Sequence, residues 1–111
     1  LATLDIYKDE GLFERARQLE KPFADAMMSL RGQPNVADIR TVGLLCGIDL
    51  DPVVGKPGLR GYEATEHMYH ELNIYLRVAL DTLIIAPPLI SSEADIAEIR
   101  DGIAKVLKAV A

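Results

Sequence analysis

Arg77 stands in Ile74-Tyr75-Leu76-Arg77-Val78-Ala79, an otherwise apolar, strand-like run just before a turn. A guanidinium is costly to bury without a partner, and its planar fork matches a carboxylate through two parallel hydrogen bonds. The chemistry this residue offers is therefore recognition of a carboxylate. Two structural roles compete with that one: an ion pair with Asp81, or an exposed arginine on an edge strand.

Other candidates are weaker. Gly55-Lys56-Pro57-Gly58-Leu59-Arg60-Gly61 has the glycine content of a phosphate loop. A phosphate cradle needs successive free N–H groups, and usually Lys followed by Ser or Thr. Pro57 removes one donor and no hydroxyl follows Lys56, so turn chemistry describes the segment better. His67 and His70 lie three apart, with Glu63, Glu66 and Glu71 nearby. Two ligands on a helix face fall short of the three or four a metal site wants, and a solvated charged face has the same composition. Cys46 is the only cysteine, set among alternating apolar residues with no base beside it. It reads as a small core hydrophobe and excludes an internal disulfide. None of Lys8, Lys21, Lys56, Lys105 and Lys108 sits in an obviously desolvated site where its pKa would fall, and no isolated carboxylate pair suggests an acid–base couple.

The elements that must position these residues are legible in the periodicity. Leu12, Ala16, Leu19, Phe23, Ala26/Met27 and Leu30 make one stripe of an amphipathic helix, which Pro22 should kink or split. Gly32 suits the residue after its end, with Pro34 beyond. Val36–Val42 and Leu44–Leu50 read as paired strands joined at Gly43, and residues 51–61 as a loop. Tyr62–Leu72 has helical spacing. Ile74–Leu80 and Leu83–Ala86 read as a hairpin turning at Asp81-Thr82 and stopped by Pro87-Pro88. Ser91 or Ser92 caps a last helix whose stripe is Ile96, Ile99, Ile103, Val106/Leu107 and Val110. The expectation is one α+β domain over residues 1–111, with a three- to four-stranded, largely antiparallel sheet and helices on one face.

Composition narrows the partners. The chain has 111 residues and a net charge of −5, with no basic run, so neither nucleic acid nor an anionic membrane is expected to bind. No apolar run approaches the ~20 residues of a membrane helix, and cytoplasmic residence is the default expectation. The opening Leu1-Ala2-Thr3-Leu4-Asp5-Ile6-Tyr7 has no cap residue before it and reads as a helix entered part-way, hence as a piece of a longer protein.

Several stretches together carry a resemblance. They are Leu1–Tyr7, Glu10-Gly11-Leu12-Phe13-Glu14-Arg15-Ala16, Arg40–Leu50, and Gly58 with Arg60-Gly61-Tyr62-Glu63-Ala64. The most specific is Leu76-Arg77-Val78 followed by Asp81-Thr82 and Ala86-Pro87-Pro88-Leu89-Ile90. In these the chain resembles the C-terminal small domain of class III pyridoxal-phosphate-dependent aminotransferases, most of all the omega-amino acid:pyruvate (β-alanine–pyruvate) branch. The resemblance implies the C-terminal domain of a fold-type I enzyme, whose large, cofactor-binding domain lies elsewhere in the same polypeptide. It implies pyridoxal 5′-phosphate as cofactor, an amine or omega-amino acid and pyruvate as substrates, and a homodimer or higher homo-oligomer. Arg77 then matches the arginine that binds the substrate carboxylate and swings aside for an uncharged group.

The family's cofactor lysine, the acid beside the pyridine nitrogen and most of the phosphate site match nothing here. The chain alone is therefore expected to be inactive and to bind no cofactor. One departure stands out: the family usually has glycine three residues after this arginine, and this chain has Leu80. If that turn needs φ > 0, leucine strains it or the turn takes another shape. Two alternatives remain: a sister class III enzyme (a diamine aminotransferase or aminomutase), and a stand-alone α+β ligand-binding or regulatory module.

Overall fold

The computed structural model describes residues 1–111. Its elements run α1 (Ala2–Asp9), α2 (Leu12–Met28), β1 (Val36–Val42), β2 (Leu45–Leu50), α3 (Leu59–Leu72), β3 (Arg77–Ala79), β4 (Thr82–Ile85) and α4 (Glu93–Ala109). The four strands form one antiparallel sheet in the order β1-β2-β4-β3, so β3 is an edge.

Strand alternation sorts the side chains. Ile39, Cys46, Ile48, Leu50, Leu83 and Ile85 point to one face and are buried in a core with Leu19, Phe23 and Met27 of α2, Met68 of α3, and Ile103 and Leu107 of α4. The other face carries Arg40, Leu45, Gly47, Asp49, Thr82 and Ile84, and stays exposed or half-buried. A bulge at Ala37 shifts the β1 register between Val36 and Asp38, so Val36 still packs on the core while Asp38 and Arg40 come out on the open face. No helix is long and apolar enough to cross a membrane.

Local chemistry accounts for most boundaries. Ser92 caps α4: its hydroxyl accepts from the Asp95 N–H at 3.1 Å, and the Asp95 carboxylate accepts from the Ser92 N–H at 2.9 Å. α2 neither splits nor stops at Pro22, although the missing N–H leaves the Gln18 carbonyl without its helical donor. It ends at Met28 with Ser29 as its cap, so left-handed Gly32 comes two residues later than a helix terminator would. Three further expectations shift. α3 starts at Leu59, three residues before the helical spacing does; the strand expected over Ile74–Leu80 is only Arg77–Ala79; and the β3–β4 turn is Leu80-Asp81, because Ala79 pairs with Thr82.

Candidate functional site

Arg77 opens the edge strand β3 and its side chain is exposed on the open face. The register sets Arg77 opposite Ile84, Ile84 opposite Gly47 and Gly47 opposite Arg40, so one row across the sheet has a guanidinium at each end. The two cations have different surroundings. Arg40 donates from Nη1 to Asp49 Oδ2 (2.5 Å) and Asp38 Oδ2 (2.9 Å), and from Nη2 to Asp49 Oδ1 (3.1 Å). Its hydrogen bond, with a second from Thr82, holds the Asp49 carboxyl below the usual range and raises the pKa of Arg40 in turn. Arg40 is therefore committed to structure, and Gly47 makes room for it: a Cβ there would lie 3.2 Å from Nη2.

Arg77 takes part in none of the ion pairs of the chain. Asp81, its candidate partner, is engaged elsewhere. The Asp81 carboxylate accepts from the Gly58 N–H (2.6 Å) and the Gly61 N–H (2.9 Å), which are orphan donors at the start of α3. An acid at that position also favours the positive end of the helix dipole. The same contacts decide the glycine-rich loop, because two amides an anion would need there already hold a carboxylate. Arg60 is occupied too, donating to the carbonyls of Asp51 (2.7 Å) and Val110.

Around Arg77 the surface is concave and mostly apolar. With Leu45, Ile84, Ala86, Pro87 and Pro88, Arg77 lines a hollow of about 390 Å³. Leu45 and Ile84 also border a second hollow of about 490 Å³, lined by Gly47 and reaching Arg40. A carboxylate here would meet one unpaired guanidinium beside apolar walls, where charge-assisted hydrogen bonds are strongest.

The remaining sequence candidates resolve into structure. His67 Nδ1 lies 2.6 Å from Glu71 and His70 Nε2 lies 3.5 Å from Glu66, on the exposed side of α3. No group of three or more His, Cys, Asp or Glu side chains converges to hold a metal ion. Cys46 is 1% exposed, and burial pushes its thiol up to about 11.

Leu80 answers the question raised by the missing glycine: it adopts φ +52°, so the turn does need a left-handed residue and leucine occupies it. Sequence reasoning missed the role of Asp81, whose partners are 20 and 23 residues back along the chain. It missed the Arg40–Asp49 pair as well, although both residues fall on the outward positions of the strand alternation.

A family model described as "Aminotransferase class-III" matches residues 1–107. The chain belongs to the class III aminotransferases. An omega-aminotransferase of Caulobacter vibrioides is 39% identical over 107 residues, covering 96% of this chain and 24% of that protein. A β-alanine–pyruvate aminotransferase of Pseudomonas aeruginosa is 30% identical over 111 residues, covering all of this chain and 25% of that protein. Among solved structures, an adenosylmethionine-8-amino-7-oxononanoate aminotransferase from Methanocaldococcus jannaschii superposes with a TM-score of 0.87 at 29% identity, over 98% of this chain and 26% of that one. The chain thus spans about a quarter of the length of the relatives it matches.

Class III aminotransferases use pyridoxal phosphate. None of this chain's lysines is placed to hold it. All five lysines are exposed, and Lys21 is held by Asp25 at 2.7 Å. None combines burial with a concave apolar wall, the setting that makes a lysine amine nucleophilic.

Proposed function

We propose that this chain is the substrate-recognition domain of an aminotransferase that moves an amino group from an omega-amino acid or amine to pyruvate. Arg77 is the clamp for the substrate carboxylate. The observation that carries this reading is the unpaired state of Arg77: an arginine beside an apolar hollow, with the only acid near it in sequence committed to α3. Binding then needs no ion pair to be broken first. Family membership supplies the reaction class, and the names of the Caulobacter and Pseudomonas relatives support the substrate class.

In this reading the chain contributes binding and orientation. The guanidinium fork fixes the carboxylate in one plane, and the apolar wall of Leu45, Ile84 and Pro87 excludes water from the aliphatic part of the substrate. The cofactor is held by the remaining length of the polypeptide, with which this chain shares the site. The Methanocaldococcus relative is named for a different substrate, which favours as second reading a sister class III enzyme using the same clamp.

The test is Arg77→Ala in the complete polypeptide, comparing kcat/KM for β-alanine with that for a simple aromatic amine. Losing a bidentate charge-assisted contact should lower the β-alanine:amine ratio about 30- to 1000-fold, on the order of 2–4 kcal/mol. An unchanged ratio would refute the clamp. The same ratio shift in an enzyme whose Arg77-bearing parent has no activity toward pyruvate would select the sister enzyme.

A further inference from the structure

We propose that Asp81 is the positioning residue for Arg77, acting through a seat it forms with Gly61 at the start of α3; this rests on the reading of Arg77 as the carboxylate clamp. β3 is three residues long, lies at the sheet edge and is paired on one side only, through Arg77–Ile84, Val78–Leu83 and Ala79–Thr82. So short a ladder leaves Arg77 held by the buried Leu76 on one side and by the tip of the hairpin on the other. The tip is held by unusual means. Leu80 sits at φ +52°, a conformation that penalises a residue with a side chain and persists only when its surroundings impose it.

Those surroundings are α3 and β2. The Asp81 carboxylate takes the Gly58 and Gly61 N–H groups, and the Asp81 carbonyl accepts from the Leu50 N–H at 2.9 Å. Thr82 adds a hydrogen bond to Asp49 at 2.8 Å. Gly61 completes the seat by having no side chain: a Cβ there would lie 2.2 Å from the Leu80 carbonyl oxygen and 2.9 Å from Val78 Cγ2. The hairpin therefore rests directly on the helix backbone. The carboxylate is the one component that bonds helix to tip, and Arg77 is four residues from it on the strand it anchors.

Asparagine at position 81 keeps one acceptor but turns an amide N–H toward the other helix donor, so the seat opens without loss of bulk. The experiment compares Asp81→Asn, Arg77→Ala and the double variant in the complete polypeptide, measuring kcat/KM for β-alanine and for the aromatic amine. Asp81→Asn should lower the β-alanine:amine ratio about 10- to 100-fold, mainly through KM, because a misplacement near 1 Å costs this much. The double variant should shift the ratio no further than Arg77→Ala alone. Where Asp81→Asn does not fold, Asp81→Ser, which retains one capping oxygen, must give a shift in the same direction. A ratio shifted by Arg77→Ala but unmoved by the Asp81 variants would overturn this proposal and leave the clamp standing. So would equal losses for both donors. A ratio that even Arg77→Ala leaves unmoved would overturn both.

Discussion

Gly61→Ala separates two forces that act with opposite sign. Gly61 lies inside α3, where alanine should gain about 1 kcal/mol of helix propensity. The fold predicts the reverse. The new Cβ would meet the Leu80 carbonyl oxygen at 2.2 Å, about 1 Å inside the ~3.3 Å of a close carbon–oxygen contact. The nearest neighbour is backbone, so relief requires the hairpin to back away and stretch the Asp81 hydrogen bonds of 2.6 and 2.9 Å. Overpacking costs roughly 1–3 kcal/mol and a lost cap about 1 kcal/mol more. After the propensity gain the net destabilisation is about 1–3 kcal/mol, or roughly 5–20 °C in Tm for a chain of this size. Gly102→Ala in α4 is the control, because its Cβ meets only the ends of Leu72, Ile74 and Met68, at 3.2 to 3.6 Å. That variant should stay within about 1 kcal/mol of the parent. Urea unfolding of the three chains measures the difference. A Gly61→Ala chain more stable than the parent would refute the close seat of the hairpin on α3.

Asp49 should make the fold acid-sensitive. Its hydrogen bond from Arg40, then that from Thr82, lower its folded pKa, so the stabilisation is present above the unfolded value of about 3.9 and is lost as pH falls through the lower folded value. Asp49→Asn should flatten the acid limb of a stability–pH curve; an unchanged limb would exclude the pair as its source. Cys46, with its thiol pushed up to about 11, should resist alkylation near pH 8 and react once urea unfolds the chain. Rapid native labelling would contradict its burial. The 111-residue chain, mixed with pyridoxal phosphate and dialysed, should retain no cofactor absorbance; a persistent band traced to one lysine would contradict the absence of a cofactor site.

The parts of this fold legible in the sequence were those written in local periodicity. The stripe from Ile96 to Val110 gave α4 and its buried face, and Ser92 was one of its two candidate caps. Val36–Val42 emerged with its bounds unchanged. What escaped depended on contacts distant in sequence. α3 starts at Leu59 because the acid that caps it is Asp81, from a hairpin not yet made when the helix is read along the chain. The turn was placed one residue late because leucine is a poor choice for a left-handed position, and propensity alone puts the turn on Asp81-Thr82. For the candidate site, sequence supplied Arg77 and its apolar strand. Whether Asp81 neutralised it was open, because either arrangement satisfies a carboxylate and only the tertiary fold chooses between them.

The most direct measurement is a crystal structure of the complete polypeptide with an omega-amino acid or an unreactive carboxylate analogue bound. The account predicts the ligand carboxylate facing the Arg77 guanidinium, with two N···O distances of about 2.7–2.9 Å and Asp81 still on the amides of Gly58 and Gly61. A carboxylate bound by other residues, with Arg77 turned to solvent or paired to a protein acid, would contradict it.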